Sequence, residues 1–141
     1  GYNNYGQGNQ TAYIGGTSGA YNGNNSSSWQ TTSDRRIKKN IVDNNSGLDV
    51  LNSIQVKNFE YKTEDEIVKD SPELEDVVKS AVVDRKGTQL GVIAQELQEI
   101  LPECVETLST GVETVNTDNL TWYLINAIKE LSTKITALEA K

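Results

Sequence analysis

Ser33-Asp34-Arg35-Arg36-Ile37-Lys38-Lys39-Asn40-Ile41 is the stretch at which this chain changes character. Residues 1–33 contain no charged side chain, so all 33 charges of the 141-residue chain lie in residues 34–141. The uncharged segment holds seven of the eleven glycines and four of the six tyrosines, with repeated Asn, Ser and Thr. Ile14 is its one large aliphatic residue. Such a segment cannot bury enough apolar surface to fold by itself. It reads either as a flexible linker or as a repetitive β-fibre in which neighbouring chains supply the missing core. The second reading rests on Ala12-Tyr13-Ile14-Gly15-Gly16 and Gly19-Ala20-Tyr21-Asn22-Gly23, where Gly-Gly and Asn-Gly steps suit tight turns.

On the C-terminal side of the boundary the pattern is that of a small α+β body. Ile37 to Val42 predicts a strand, ended by Asp43-Asn44-Asn45. Ser46 as N-cap opens a short helix through Leu48, Leu51 and Ile54, and the alternation from Val56 to Tyr61 predicts a half-buried strand. Residues 64–106 carry twelve acidic and four basic residues. Within them Ser71-Pro72-Glu73 signals a helix start, and Leu74, Val77, Val78, Ala81 and Val82 share a face up to a stop at Arg85-Lys86-Gly87. Residues 64–88 thus read as a helical excursion between two strands. Leu90 to Ile93 resumes a strand and runs into a helix from Ala94 to Leu101, which Pro102 ends. Cys104-Val105 and Val112 to Val115 are short strands around the turn Ser109-Thr110-Gly111.

Thr117 or Asp118 caps a last helix that extends to Lys141. In it Leu124, Ile128, Leu131, Ile135 and Leu138 are spaced four, three, four and three, a heptad seam with Ile at a and Leu at d. The seam either packs on the helix's own domain or joins copies of the chain, and self-association is favoured because little sequence remains to cover it. Ile at a with Leu at d formally prefers two strands.

Composition narrows the chemistry. With 13 Lys and Arg against 20 Asp and Glu the net charge is -7, the wrong sign for a general nucleic-acid binder. There is no His, which excludes His-based triads, proton shuttles and His metal sites. The single Cys104 excludes an intrachain disulfide framework and a Cys-rich zinc site, and reads as a small buried apolar residue. No run approaches the roughly 18 apolar residues of a membrane span, and residues 1–33 have no signal-peptide pattern. No metal, cofactor, nucleic acid or membrane is therefore expected. The remaining nucleophile–base option is Ser or Thr with Lys. Ser33 and Lys38 sit in the one dense polar cluster that offers such a pair, where Arg35, Arg36 and Lys39 supply positive charge that helps a lysine shed its proton. Ser near Lys is common, so taken alone the cluster reads first as a solvated basic turn.

Ser33-Asp34-x-Arg36-x-Lys38-x-Asn40-Ile41 resembles the opening signature of the self-cleaving intramolecular chaperone domain found at the C-terminus of phage tailspikes and tail fibres, endosialidases among them. The resemblance continues through Phe59-Glu60-Tyr61, Gly91-Val92-Ile93-Ala94-Gln95-Glu96, Leu101-Pro102 and Ala127-Ile128-Lys129-Glu130-Leu131, covering about residues 33–141. Residues 64–88 match none of its motifs and read as an insertion. The resemblance implies a homotrimer: a small mixed α/β body whose long C-terminal helix, residues 117–141, forms a trimeric coiled coil on the Leu124–Leu138 seam. It implies that residues 1–32 are the end of a β-rich fibre stem, which the trimer brings into register. It further implies cleavage between Thr32 and Ser33, with Ser33 as nucleophile and Lys38 as general base, while Asp34, Arg36 and Asn40 shape the site. The protein would be made in the host cytoplasm, its fibre entering the virion and the chaperone domain leaving after the cut. Two other classes fit the same residues: a non-cleaving trimerisation tip, and a receptor-binding fibre end using the Tyr/Asn-rich segment or the acidic insertion.

Overall fold

The computed structural model describes residue 9 and residues 22–141. The strands expected at Ala12–Gly16 and Gly19–Gly23 fall wholly or largely outside the described residues. Residues 22–32 are exposed and form no strand.

The body is mixed α and β. Its elements run α1 (Leu48–Ser53), β1 (Lys57–Phe59), α2 (Glu64–Asp70), α3 (Val78–Ala81), β2 (Gln89–Gly91), α4 (Ala94–Gln98), β3 (Val105–Thr107), β4 (Glu113–Val115) and α5 (Leu120–Glu139), with 3-10 turns at Arg35–Ile37, Pro72–Val77 and Pro102–Cys104. The strands form two antiparallel pairs, β1 with β2 and β3 with β4. In the first, Lys57 faces Gly91 and Phe59 faces Gln89. Gly91 fits closely there: a Cβ would stand 3.2 Å from the Phe59 ring, which would have to give way slightly. The second pair closes at Leu108–Gly111, where Gly111 takes φ +85°, a conformation that disfavours side chains.

The core is small. Leu97, Leu101 and Cys104 are buried, and Val50, Ile54, Val92, Ile100, Val105, Val115, Leu120 and Tyr123 pack around them. Cys104 is fully buried, as a small apolar residue would be, and burial pushes its thiol pKa up. Each of the two leucines contributes about 2–3 kcal/mol by leaving water. An ion pair of 2.7 Å between Lys57 and Glu96 links β1 to α4.

Several expected boundaries move. Ile37–Val42 is not a strand. The Asp34 carboxylate captures the Arg36 N–H and starts a 3-10 turn instead; Lys38 is extended, Asn40 is left-handed, and residues 38–42 pair with no strand among the described residues. Ile37 and Val42 are consequently exposed. The N-cap of α1 is Gly47, with no side-chain cap bond, rather than Ser46. Gly47 lies so close to α5 that a Cβ would stand 2.5 Å from the Ala127 nitrogen, a fit open only to glycine.

The expected helix from Ser71 splits into a 3-10 turn and the four-residue α3. Ser71 is the N-cap of that 3-10 turn, as expected, though without a side-chain cap bond, and its N–H also donates to the Ile67 carbonyl, so it closes a preceding helix as well. That preceding helix, α2, begins with a capping box: Glu66 N–H donates to Thr63 Oγ1, and Thr63 N–H donates to the Glu66 carboxylate. These bonds hold the Glu66 carboxyl below the usual carboxylate range. Arg85-Lys86-Gly87 follows the end of α3 by several residues, and Gly87, at φ +79°, turns the chain towards β2. α4 stops at Gln98 rather than Leu101. α5 is capped by Asn119, since Asp118 donates its own N–H to Asn116 and Thr117 accepts that of Leu120.

The first half of α5 packs on α1. Tyr123, Asn126, Ala127 and Glu130 are buried or half-buried on that side, whereas every residue from Leu131 to Lys141 is exposed. Among the described residues no helix is long and apolar enough to cross a membrane.

Candidate functional site

The site is built on one short turn. Asp34, in extended backbone, is the N-cap of the Arg35–Ile37 3-10 turn, and its Oδ1 accepts the Arg36 N–H at 2.8 Å. The turn closes with Ile37 N–H donating to the Asp34 carbonyl and Lys38 N–H to the Arg35 carbonyl. Lys38 then returns to extended backbone. The result is that residues five apart in sequence meet: Lys38 Nζ donates to Ser33 Oγ at 2.6 Å.

Arg36 adds a second grip. Its Nε donates to both oxygens of Asp34 at 3.1 Å, and its terminal Nη2 donates to Oδ2 at 2.7 Å. This planar fork matches the carboxylate, and it holds the Asp34 carboxyl well below the usual range while raising the Arg36 guanidinium. Asn40 takes φ +52°, a left-handed conformation that Asn tolerates better than most residues, and it redirects the chain just past the lysine. Thr32 and Ser33 are both exposed, with no regular structure on either side of the bond between them.

The five seam residues sit on one exposed stripe of α5, from Leu124 at 48% exposure to Leu138 at 66%. Among the described residues this stripe is left about half exposed or more, and it lies apart from the Ser33–Lys38 turn in sequence. Among the described residues no cluster of three metal-ligating side chains occurs.

One structural residue escaped the sequence reading. Asn126 Nδ2 donates to the carbonyls of Asn44 and Ser46, both at 2.9 Å, and so fastens the strap that leaves the site to the C-terminal helix. A polar residue on a helix gives no local sign of a partner 80 residues earlier.

Chemically, a lysine amine on a serine hydroxyl is a nucleophile–base pair: the neutral amine can take the hydroxyl proton as the oxygen attacks. The family model for the chaperone of endosialidase, Peptidase_S74, matches residues 33–106, and the chain belongs to that family of intramolecular chaperones. The match begins at Ser33 itself and ends within β3, ahead of β4 and α5. No curated protein matches the chain.

Proposed function

We propose that residues 33–141 form a homotrimeric chaperone that registers an upstream fibre stem and then cuts itself free between Thr32 and Ser33. In this reading residues 1–32 are the end of the stem, residues 64–88 an insertion, and residues 117–141 the assembly helix. The stem belongs to a phage tail fibre that passes into the virion, while the chaperone domain is released. The observation that carries the reading is the 2.6 Å contact between Lys38 Nζ and Ser33 Oγ, on the first residue of the family match.

Ser33 Oγ attacks the Thr32 carbonyl carbon as Lys38, neutral, takes the hydroxyl proton. The Thr32–Ser33 C–N bond breaks, Lys38 returns the proton to the departing Ser33 nitrogen, and Thr32 is left as an ester on Ser33 Oγ. Water then hydrolyses that ester, leaving a free carboxylate on Thr32 and restoring the Ser33 hydroxyl. Nucleophile and carbonyl belong to adjacent residues of one chain, so proximity supplies much of the rate. Arg36 cannot replace the base, because its guanidinium stays protonated.

The assembly half of the reading has its own physics. Strands poor in apolar residues pair slowly between chains and slip easily in register. A trimer at their C-terminal end raises the local concentration of the stem ends and aligns them. Once intertwined, a stem can persist behind a high unfolding barrier, and removing the chaperone makes assembly effectively irreversible.

The test is a timed mass-spectrometric series on the full chain for a product beginning at Ser33. Ser33→Ala, Lys38→Ala and Lys38→Arg are expected to stop the cut and leave the trimer. The wild-type rate is expected to rise with pH to a plateau, as general-base catalysis by an amine requires. Cutting by Ser33→Ala at the wild-type rate would assign the reaction to another nucleophile or an outside protease.

A further inference from the structure

The hydrogen bonds around the Ser33–Lys38 pair share a local feature: those made by residues 33–38 close within that same segment. Sequence spacing does not by itself bring Ser33 and Lys38 together. Five residues of extended chain would separate them by about 16 Å. A 3-10 turn advances only about 2 Å per residue, and the one at Arg35–Ile37 shortens the path enough for the long lysine side chain to reach back.

That turn contains no buried residue, so packing on the body does not hold it. The Asp34 carboxylate is what marks its start. It caps the turn through the Arg36 N–H and simultaneously receives the Arg36 guanidinium, so backbone and side chain of one residue are held by a single carboxylate. We propose that Asp34 is the positioning residue of the cleavage site: its carboxylate, clamped by Arg36, folds the turn that places Lys38 Nζ on Ser33 Oγ. The inference rests on the reading that these two residues cut the chain. It assigns Asp34 no proton transfer, because both its oxygens are turned to Arg36 rather than to the reacting atoms.

The halves of the clamp separate by substitution. Asp34→Ala removes both. Asp34→Asn keeps a carbonyl oxygen for the Arg36 N–H but loses the charged fork, and Arg36→Lys keeps charge but not the fork. In the full chain, Asp34→Ala is expected to slow the cut by roughly tenfold to a hundredfold, the scale on which about an ångström of misplacement acts. Asp34→Asn should recover part of the rate, and Arg36→Lys should lose less than Asp34→Ala. Sedimentation and melting should stay as in the wild type, since Arg36 is exposed and the side-chain bonds of Asp34 all go to Arg36.

From about pH 5 to 9, a range above the ordinary carboxylate value, a positioning loss lowers the plateau of the rate profile and leaves its midpoint in place. A displaced midpoint would mean that Asp34 acts on the charge of Lys38, and would overturn the inference. So would wild-type rates in Asp34→Ala, or, if that variant loses the trimer, wild-type rates in both Asp34→Asn and Arg36→Lys. Ser33→Ala is run beside them. Its cutting would remove the underlying reading of the site, whereas an inert Ser33→Ala with a fully active Asp34→Ala would remove only the positioning role.

Discussion

Two faces of α5 differ in kind. One, at Tyr123, Asn126, Ala127 and Glu130, is turned to the body: Ala127 is buried under Gly47, Asn126 holds two carbonyls of the strap, and Tyr123 Oη donates to the Glu103 carboxylate at 2.8 Å. That last bond raises the Tyr123 pKa. The other face, from Leu124 to Leu138, is apolar and open along its length. The contrast teaches that one helix carries two separable tasks. Its first face packs on the body, and its second is apolar surface that the described residues leave open. This open heptad seam is the surface on which the proposed trimer would assemble.

The largest expected effect breaks the open face alone. Ile128→Asp with Leu131→Asp would bury unpaired charges at a trimer axis, which no close-packed seam tolerates. Sedimentation should then report monomers, while circular dichroism of the body stays native-like because both positions are exposed in the single chain. A trimer surviving in that variant would move the assembly element elsewhere.

The reverse experiment breaks the body face. Gly47→Ala places a methyl against the backbone of Asn126 and Ala127, atoms that cannot swing aside as a side-chain tip would. Overpacking of this kind costs about 1–3 kcal/mol, so thermal melting of the body should fall by several degrees. Wild-type melting would mean that α1 and α5 are not tightly apposed.

Asn126→Ala should be milder. Its two acceptors regain water when the amide is removed, and about 1 kcal/mol is the expected loss. Hydrogen exchange should speed up around residues 44–47 more than at Leu97, and equal changes at both would argue for a global effect.

The smallest effect is acid sensitivity at α2, a helix remote from both faces. The Glu66 carboxyl is held below its ordinary range mainly by its bonds with Thr63, so its folded pKa lies below its unfolded one. Its contribution is complete above the unfolded value and is lost as pH falls through the folded one. Exchange protection in Glu64–Asp70 should weaken only well into the acid range, and Glu66→Gln should flatten that change. An unaltered acid profile in the variant would place the sensitivity in another carboxylate.

Much of this molecule was written locally. The change from uncharged to charged sequence at Ser33, the β3–β4 hairpin around Gly111, the half-buried Phe59 strand and the long amphipathic α5 all follow from near-neighbour patterning, which needs no knowledge of distant residues. The family match from Ser33 agrees with the motif that the same residues display. What the local patterns misread were competitions. Ile37–Val42 has the composition of a strand, but a strand needs a neighbour, and the Asp34 carboxylate offered Arg36 a nearer partner. Ser71-Pro72 does open a helical segment, but that segment divides into a 3-10 turn and a four-residue α-helix instead of running on as one. The sequence alone determined that Ser33 and Lys38 share a polar cluster and that α5 bears an apolar seam. Only the tertiary structure decided that the pair is in contact, that Gly47 touches Ala127, and which face of α5 the body covers. Those outcomes depend on distances between residues far apart in the chain, or on the choice between two local partners, and neither is carried by periodicity.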